Sequence, residues 1–260
     1  MVDIPQTIDP VQPYRPQERP LAGKVAVVTG ASANMGAALA QTLAYDGAHI
    51  VVHYRSDDKA AKAAHVVEQI QEWGGEALSF QADLSVPDNC TKLADATFEA
   101  FGRWDILINT AGTIVRKPLA DITEDEYDGV LHDARGGAPD GRQRGDPELR
   151  HHHGWGASAH LQCLRRIQGP RGAFHQGAGQ RGWWQGDHRQ LHRTRPLADE
   201  LLYPAESDEN IGWLESMSIN GQIGRGDDIM PVARLLVLPE SGWATAQTIF
   251  VNGGIISTIN

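Results

Sequence analysis

The stretch KVAVVTG, Lys24 to Gly30, constrains this chain more than any other. A β-branched apolar run ending in glycine reads as a buried strand of a parallel sheet. The pattern that follows, GAALAQTLAYDGA from Gly36, has helical periodicity and stops at Gly47. A second apolar run, HIVVHY, comes next, then a predicted helix from Ser56 to Trp73. The strand EALSFQADL, a helix from about Asp88 to Phe101 and the strand DILINTAG complete the series. Strands buried on both faces need helices to cover them, and here strand and helix alternate at the pitch of βαβ units. The economical arrangement is a single α/β domain with a right-handed, doubly wound parallel sheet.

The first strand-to-helix turn, TGASANMG, carries the chemistry. A strand that delivers small residues to a helix N-terminus lets backbone N–H groups and the positive helix end meet a pyrophosphate. Gly30 permits the tight turn, and Gly36 lets the helix approach the sheet and a ligand. Asn34 stands where such loops usually carry another glycine, and Asn tolerates a left-handed backbone better than most residues. A purely structural strand–helix turn is the alternative reading of this loop alone.

Three stretches together give the chain a family resemblance. TGASANMG resembles the TGxxxGxG loop of the short-chain dehydrogenase/reductase family with its middle glycine replaced. Ala82-Asp83-Leu84 resembles the Asp-Leu or Asp-Val whose Asp contacts adenine in that family. Asn109-Thr110-Ala111-Gly112 resembles its NNAG, with Thr110 for the second Asn. All three end predicted strands, where open α/β sheets bind ligands. The resemblance implies a Rossmann-like fold, hydride transfer between a nicotinamide cofactor and a carbonyl or secondary alcohol, and a homodimer or homotetramer. It implies cofactor contacts from Gly30, Ser32, Asn34, Met35, Gly36, Tyr54, Arg55, Ser56, Asp83, Leu84, Asn109, Ala111 and Gly112.

The choice of cofactor follows from charge. NAD-specific sites place a carboxylate after the second strand, which holds the ribose 2′-OH and repels a 2′-phosphate. Here that place is held by Tyr54, with Arg55 and Ser56 beside it. A guanidinium can pair a phosphate bidentately and Ser56 offers a hydroxyl, so NADP is expected over NAD. In the opposing reading Arg55 is solvated and Asp57 or Asp58 supplies the acid.

The C-terminal part, residues 197–260, resembles the same family. Asp227 is expected to cap a helix whose apolar face is Ile229, Val232, Ala233, Leu236 and Val237. TIFVNGG supplies the last strand, with Asn252 for the family's usual Asp. Residues 196–219 fall where the family has its variable substrate loop, and could line a pocket or form a lid.

Residues 133–196 break the pattern that residues 20–132 establish. They hold 11 Arg against five acidic residues, a net of +6 that leaves −16 for the rest of a chain whose total is −10. They contain 12 Gly and seven of the 11 His, and only five Ile, Leu or Val. Such a segment buries too little apolar surface to offset its ordering entropy, so it is not expected to join a core. It also falls where the family carries its catalytic Tyr-x-x-x-Lys, whose members share one helix face. That pair is absent. The tyrosines are Tyr14, Tyr45, Tyr54, Tyr127 and Tyr203, and no lysine follows Lys117. No residue is therefore assigned to catalysis. His151–His153 are not expected to bind a metal, because three adjacent His cannot face one ion from regular structure and no HExxH accompanies them.

The genetic code offers an account. Read one nucleotide later, Leu164 to Gly169 permits Tyr-Ala-Gly-Ser followed by an obligatory Lys or Arg. His188 to Pro196 permits Thr-Val-Asn-x-Ile-Ala-Pro-Gly, and Trp183-Trp184-Gln185 forces Gly-Gly. Those are the family's catalytic helix and the strand beyond it, in the expected places. Residues 133–196 accordingly read as translated out of frame, between two compensating slips in the gene or its reading. The shifted frame yields neither the catalytic Ser cleanly nor the family's Asn near Asp133. The alternative is a non-catalytic nucleotide-binding or scaffold protein.

The remaining expectations come from composition. The charge of −10 argues against nucleic acid or an anionic membrane as a partner. Cys90 and Cys163 form neither a disulfide framework nor a CxxC pair. With no apolar N-terminal run and no 18-residue apolar stretch, a cytoplasmic protein is expected. Residues 1–19, with four Pro and three Gln, read as an extended arm.

Overall fold

A computed structural model describes residues 18–112, 121–124, 161–165, 187–192, 198, 202–203, 206–242, 244 and 248–254. Within them the elements are β1 (Val25–Thr29), α1 (Asn34–Tyr45), β2 (His49–Tyr54), α2 (Ala60–Glu72), β3 (Ala77–Gln81), α3 (Pro87–Phe101) and β4 (Ile106–Asn109). After these come β5 (Leu161–Arg165), β6 (Asp187–His192), α4 (Asp208–Met217), α5 (Gly226–Val237) and β7 (Thr248–Phe250). The expected arm over residues 1–19 falls almost wholly outside the described residues, as do His151–His153.

One sheet runs in the order β3-β2-β1-β4-β5-β6-β7. β1 pairs in parallel with both β2 and β4, and β2 with β3, so four strand ends lie side by side. Thr29 is in register with Asn109, and Tyr54 with Gln81. The parallel expectation holds except at β5, which is antiparallel to both neighbours. β6 and β7 pair in parallel.

Two strands of the sheet, β5 and β6, thus lie within residues 133–196, the segment not expected to join a core. Their sequences hold three of the segment's five branched aliphatic residues: Leu161 and Leu164 in β5, and Leu191 in β6. Main-chain pairing supplies the rungs whatever the side chains are.

The core is built from the first half and the C-terminal helix. On one face of the sheet Ala26, Val28, Ile50, Val52, Ile106 and Ile108 pack under α1, α2 and α5. On the other, Val27 and Val51 pack against Leu84, Leu93, Ala94 and Trp104 of the α3 layer. This is the doubly wound arrangement. α5 buries Ile229, Ala233, Leu236 and Val237, with Val232 half-buried, as its periodicity requires. Its cap differs from expectation. Asp227 does not cap α5; the first helical residue is Gly226, which puts Asp228 at the third position, where its carboxylate accepts from the Arg225 N–H at 2.8 Å. The buried Asp46 carboxylate, after α1, takes a bidentate pair from Arg234 of α5 at 2.5 and 2.8 Å. That pair ties two helices 188 residues apart.

α4 makes a small separate cluster of Leu202, Leu214 and Ile223. Its Ser207 cap accepts from the Asn210 N–H at 3.3 Å. Tyr203 and Trp213 in this region are exposed.

Candidate functional site: the carboxyl edge of the sheet

The site begins where β1 ends. Gly30 takes φ +66 and faces the backbone of Ala111: a Cβ on Gly30 would lie 2.9 Å from both the N and the Cα of that residue. Gly36, in the first turn of α1, is tighter still. Its Cβ would come within 2.4 Å of the Gly30 carbonyl oxygen and 2.5 Å of Thr110 Oγ1. Both glycines are therefore set by the close approach of α1 to the end of β4. Asn34 stands at φ +50, the left-handed backbone that its place in the turn predicted.

The ends of β1 and β4 are latched together. Thr29 Oγ1 accepts from the N–H groups of Thr110 and Ala111 at 3.1 and 3.2 Å, and donates to Asn109 Oδ1 at 3.4 Å. Thr110 Oγ1 donates back to the Thr29 carbonyl. Asn109 is buried and spends its oxygen on this latch, whereas Thr110 and Ala111 are half-buried and Gly112 is exposed. Among the described residues nothing lies within 4 Å of a Cβ placed on Gly112.

β2 and β3 end at the same edge. Arg55 reaches from β2 to Asp83, with Nη2 3.3 Å from Oδ2, and both side chains are more than a third exposed. The other oxygen of Asp83 accepts from the hydroxyl and N–H of Ser85 at 2.7 and 3.0 Å. The Ser85 hydroxyl, then the Ser85 N–H and Arg55, hold the Asp83 carboxyl below its ordinary value against the opposing effect of burial. Ser56 Oγ donates to Asp58 at 2.5 Å, and Asp58 also pairs with Lys59 at 2.8 Å. Asp57 accepts from Gln81 at 2.7 Å. Both acids of the opposing reading are thus engaged by protein groups, as is Arg55 by Asp83.

Met35 and Leu84 are placed differently from the rest. Met35 is 8% exposed and packs in the core with Leu39 and Val28, and Leu84 packs in the second cluster with Leu93. Their side chains serve the fold, and only their main chain borders the edge. Sequence reasoning passed over two residues that shape the site: Thr29, the acceptor of the latch, and His53. The signal for His53 was a polar residue at an inward position of the apolar run HIVVHY.

An open α/β sheet with a close-packed glycine turn at a helix start, and a basic residue after the second strand, defines a Rossmann-type nucleotide-binding fold. The short chain dehydrogenase family model matches residues 24–134. Over that stretch the chain is similar to the short-chain dehydrogenase family. It is 46% identical over 107 residues to an uncharacterized oxidoreductase of Methylorubrum extorquens, covering 41% of this chain and 42% of the relative. It is 44% identical over 111 residues to a versicolorin reductase of Emericella nidulans, covering 43% and 41%. A probable tetrahydroxynaphthalene reductase of Zymoseptoria tritici is 43% identical over 121 residues, covering 46% and 44%. The matched part spans less than half the length of each of these relatives. Among solved structures, a blue fluorescent protein from a metagenomic library, in complex with NADPH, aligns over 93% of this chain and all of its own, with TM-score 0.66 and 22% identity. A putative dehydrogenase of Burkholderia cenocepacia with bound NADP aligns over 93% and 97%, also at TM-score 0.66, with 24% identity. At such identities the likeness is one of fold.

Proposed function

We propose that this chain is, by family, an NADP(H)-dependent oxidoreductase whose present sequence holds the dinucleotide but lacks the means to turn it over. The first turn of α1 carries the cofactor half of the reading. Ala33 offers no side-chain cap and no acidic residue stands in that turn, whereas α4 begins with Ser207, Asp208 and Glu209, and α5 with Asp227 and Asp228. A helix start left free of side-chain acceptors and carboxylates suits an anion. The donors present fit a dinucleotide: main-chain N–H groups from Ser32 to Gly36, with Asn34 among them, for the pyrophosphate, on a turn whose Gly30 and Ala31 N–H groups are held by His53. Tyr54, Arg55 and Ser56 border the 2′-phosphate, and Asp83 with the Leu84 main chain the adenine. Asn109, Ala111 and Gly112 close the edge. When bound, the nicotinamide supplies or accepts the hydride.

Catalysis needs a proton donor as well, and no Tyr-x-x-x-Lys exists in the chain to give one. The family match ends at 134, beside the change of composition at 133, which supports an out-of-frame segment from about 133 to 196. The same absence favours the second reading, a non-catalytic nucleotide-binding or scaffold protein. The substrate of the parent enzyme is a small carbonyl compound or alcohol, the parent assembly is a homodimer or homotetramer, and the setting is the cytoplasm. No helix among the described residues is long and apolar enough to cross a membrane.

Carbonyl-dependent oxidation of NADPH by the purified chain, run beside equilibrium binding, tests the proposal. Binding without turnover is expected. Turnover well above background sinks the inactivity claim, and failure to bind any dinucleotide sinks the cofactor site. Sequencing the gene across codons 125–205 separates a reading error from a disabled gene.

A further inference from the structure

His53 lies one residue before the end of β2, is 2% exposed, and follows the buried run Ile50, Val51 and Val52. Its ring is fixed at both nitrogens. The Gly30 N–H donates to Nδ1 at 3.2 Å, and Nε2 stands 2.9 Å from the Ala82 carbonyl oxygen. A carbonyl can only accept, so Nε2 carries the proton and Nδ1 is the bare acceptor. The neutral ring is thereby required, because an imidazolium would turn a second N–H against that of Gly30. The main chain repeats the link: the His53 carbonyl accepts from Ala31 at 2.8 Å, and the Tyr54 carbonyl from Ala82 at 2.9 Å. One residue thus joins the turn after β1 to the turn after β3.

We propose that His53 is a positioning residue for the dinucleotide site. As a neutral imidazole it holds the Gly30 turn and the Ala82–Asp83 turn in the relative placement that a bound dinucleotide spans, and its protonation weakens nucleotide binding. The inference rests on the dinucleotide reading above.

Burial pushes the His53 pKa below its ordinary value, against smaller opposing effects from the Ala82 hydrogen bond and the Asp83 charge. Among the described residues the titratable groups around it are few. The turn after β3 brings Asp83, itself paired with Arg55 just after β2, and α3 brings Cys90, whose thiol lies 3.6 Å from the Leu84 carbonyl. β1, β3 and the turn after β1 carry no titratable side chain among residues 25–34 and 77–81. The binding-competent form is the neutral one. Affinity is therefore level above about pH 6.5 and falls as the pH drops through the folded value, by up to about tenfold per unit below it.

The test uses the full chain with 15N-labelled histidine. Long-range 1H–15N correlation reads the tautomer, with the His53 signal assigned by its loss in His53→Asn. Nucleotide fluorescence gives NADPH and NADH affinity from pH 5.5 to 8.5. The 2′-phosphate of NADPH itself titrates near pH 6, so NADH, which lacks it, isolates the protein's own dependence. An Nε2–H ring at pH 8 is expected, with a midpoint below 6.5 and a wild-type NADH affinity that falls with that midpoint. The Asn variant should bind about tenfold more weakly at pH 8, the scale of one lost hydrogen bond, and bind NADH without the pH step. An Nδ1–H ring, a midpoint at or above 6.5, or a wild-type NADH profile level through the His53 titration would overturn the proposal, and none of these needs the variant to fold. Binding by wild type with that level profile removes this inference alone. No binding at any pH removes the dinucleotide reading and takes this inference with it.

Discussion

Strands β1 and β2 read VAVVT and HIVVHY, whereas β5 and β6 of the same sheet read LQCLR and DHRQLH. The first pair lies under helices on both faces and is buried almost throughout. The second pair shares the ladder of main-chain hydrogen bonds but has one or two aliphatic residues per strand. The difference separates two requirements of a sheet. Main-chain pairing accepts nearly any sequence, whereas a face that helices are to cover needs a near-continuous apolar run. A segment can therefore hold a place in a strand order without the apolar run that a helix-covered face needs.

The largest effect should come from erasing that difference. Replacing residues 133–196 with those of the shifted frame restores Tyr-x-x-x-Lys, and carbonyl-dependent NADPH oxidation should rise by about 10²–10⁴-fold, the usual share of a positioned proton donor. An unchanged rate would break the out-of-frame reading.

Next in size is damage to the intact half. Gly36→Ala drives a methyl into the Gly30 carbonyl and Thr110 Oγ1 and should lower stability by roughly 3 kcal/mol, read from the urea midpoint. A loss below 0.5 kcal/mol would show that α1 lies further from β4 than the contacts indicate. Arg55→Ala should weaken NADPH binding by roughly 10–100-fold, as expected for a lost charge-assisted contact, with NADH much less affected. Equal losses for both nucleotides would place Arg55 away from the 2′-phosphate.

Acid should also act on the first half. Asp83 is held low by the Ser85 hydroxyl first and then by the Ser85 N–H and Arg55. For Asp105 burial acts upward, but Arg103, the Val25 N–H and Lys24 together outweigh it. Groups whose folded pKa lies below the unfolded one stabilise fully above the unfolded value. That contribution is present above about pH 4 and disappears as the pH falls through the folded values. Urea midpoints between pH 6 and pH 2.5 should show the decline, and a level profile would contradict it. The smallest effect lies in α4, where no described residue comes within 4 Å of a Cβ added to Gly212. Gly212→Ala should stabilise by about 0.5–1 kcal/mol in thermal unfolding, through helix propensity alone.

Much of the first half was legible because burial leaves a period in the sequence. The bounds of β2 and the Asn34 backbone emerge as read, and the end of α1 before Gly47 follows from the same pattern. What escaped was polar and short-range. His53 looked like a flaw in an apolar run because the partners that satisfy it, Gly30 and Ala82, belong to turns 23 and 29 residues away. Met35 and Leu84 followed the motif into the site, yet each packs inward, since a motif fixes where the backbone passes and not which way a side chain leaves it. The antiparallel β5 had no local signature, as strand direction is set by the connection and not by the strand.

The crowding at Gly30 and Gly36 bears on how such a chain can change over generations. At Gly30 the obstructing atoms are the N and Cα of Ala111, and at Gly36 the nearest is the Gly30 carbonyl oxygen, all main chain. No substitution elsewhere can trim a main-chain atom, so neither position has a compensating partner mutation. Gly254 is the contrast: a Cβ there meets the end of the exposed Ile219 side chain, which can swing away or be shortened. The crowding at Gly254 is open to epistatic rescue, although its φ of +79 still strains any side chain placed there. Drift at Gly30 or Gly36 is a dead end, even in a lineage that no longer needs the chemistry.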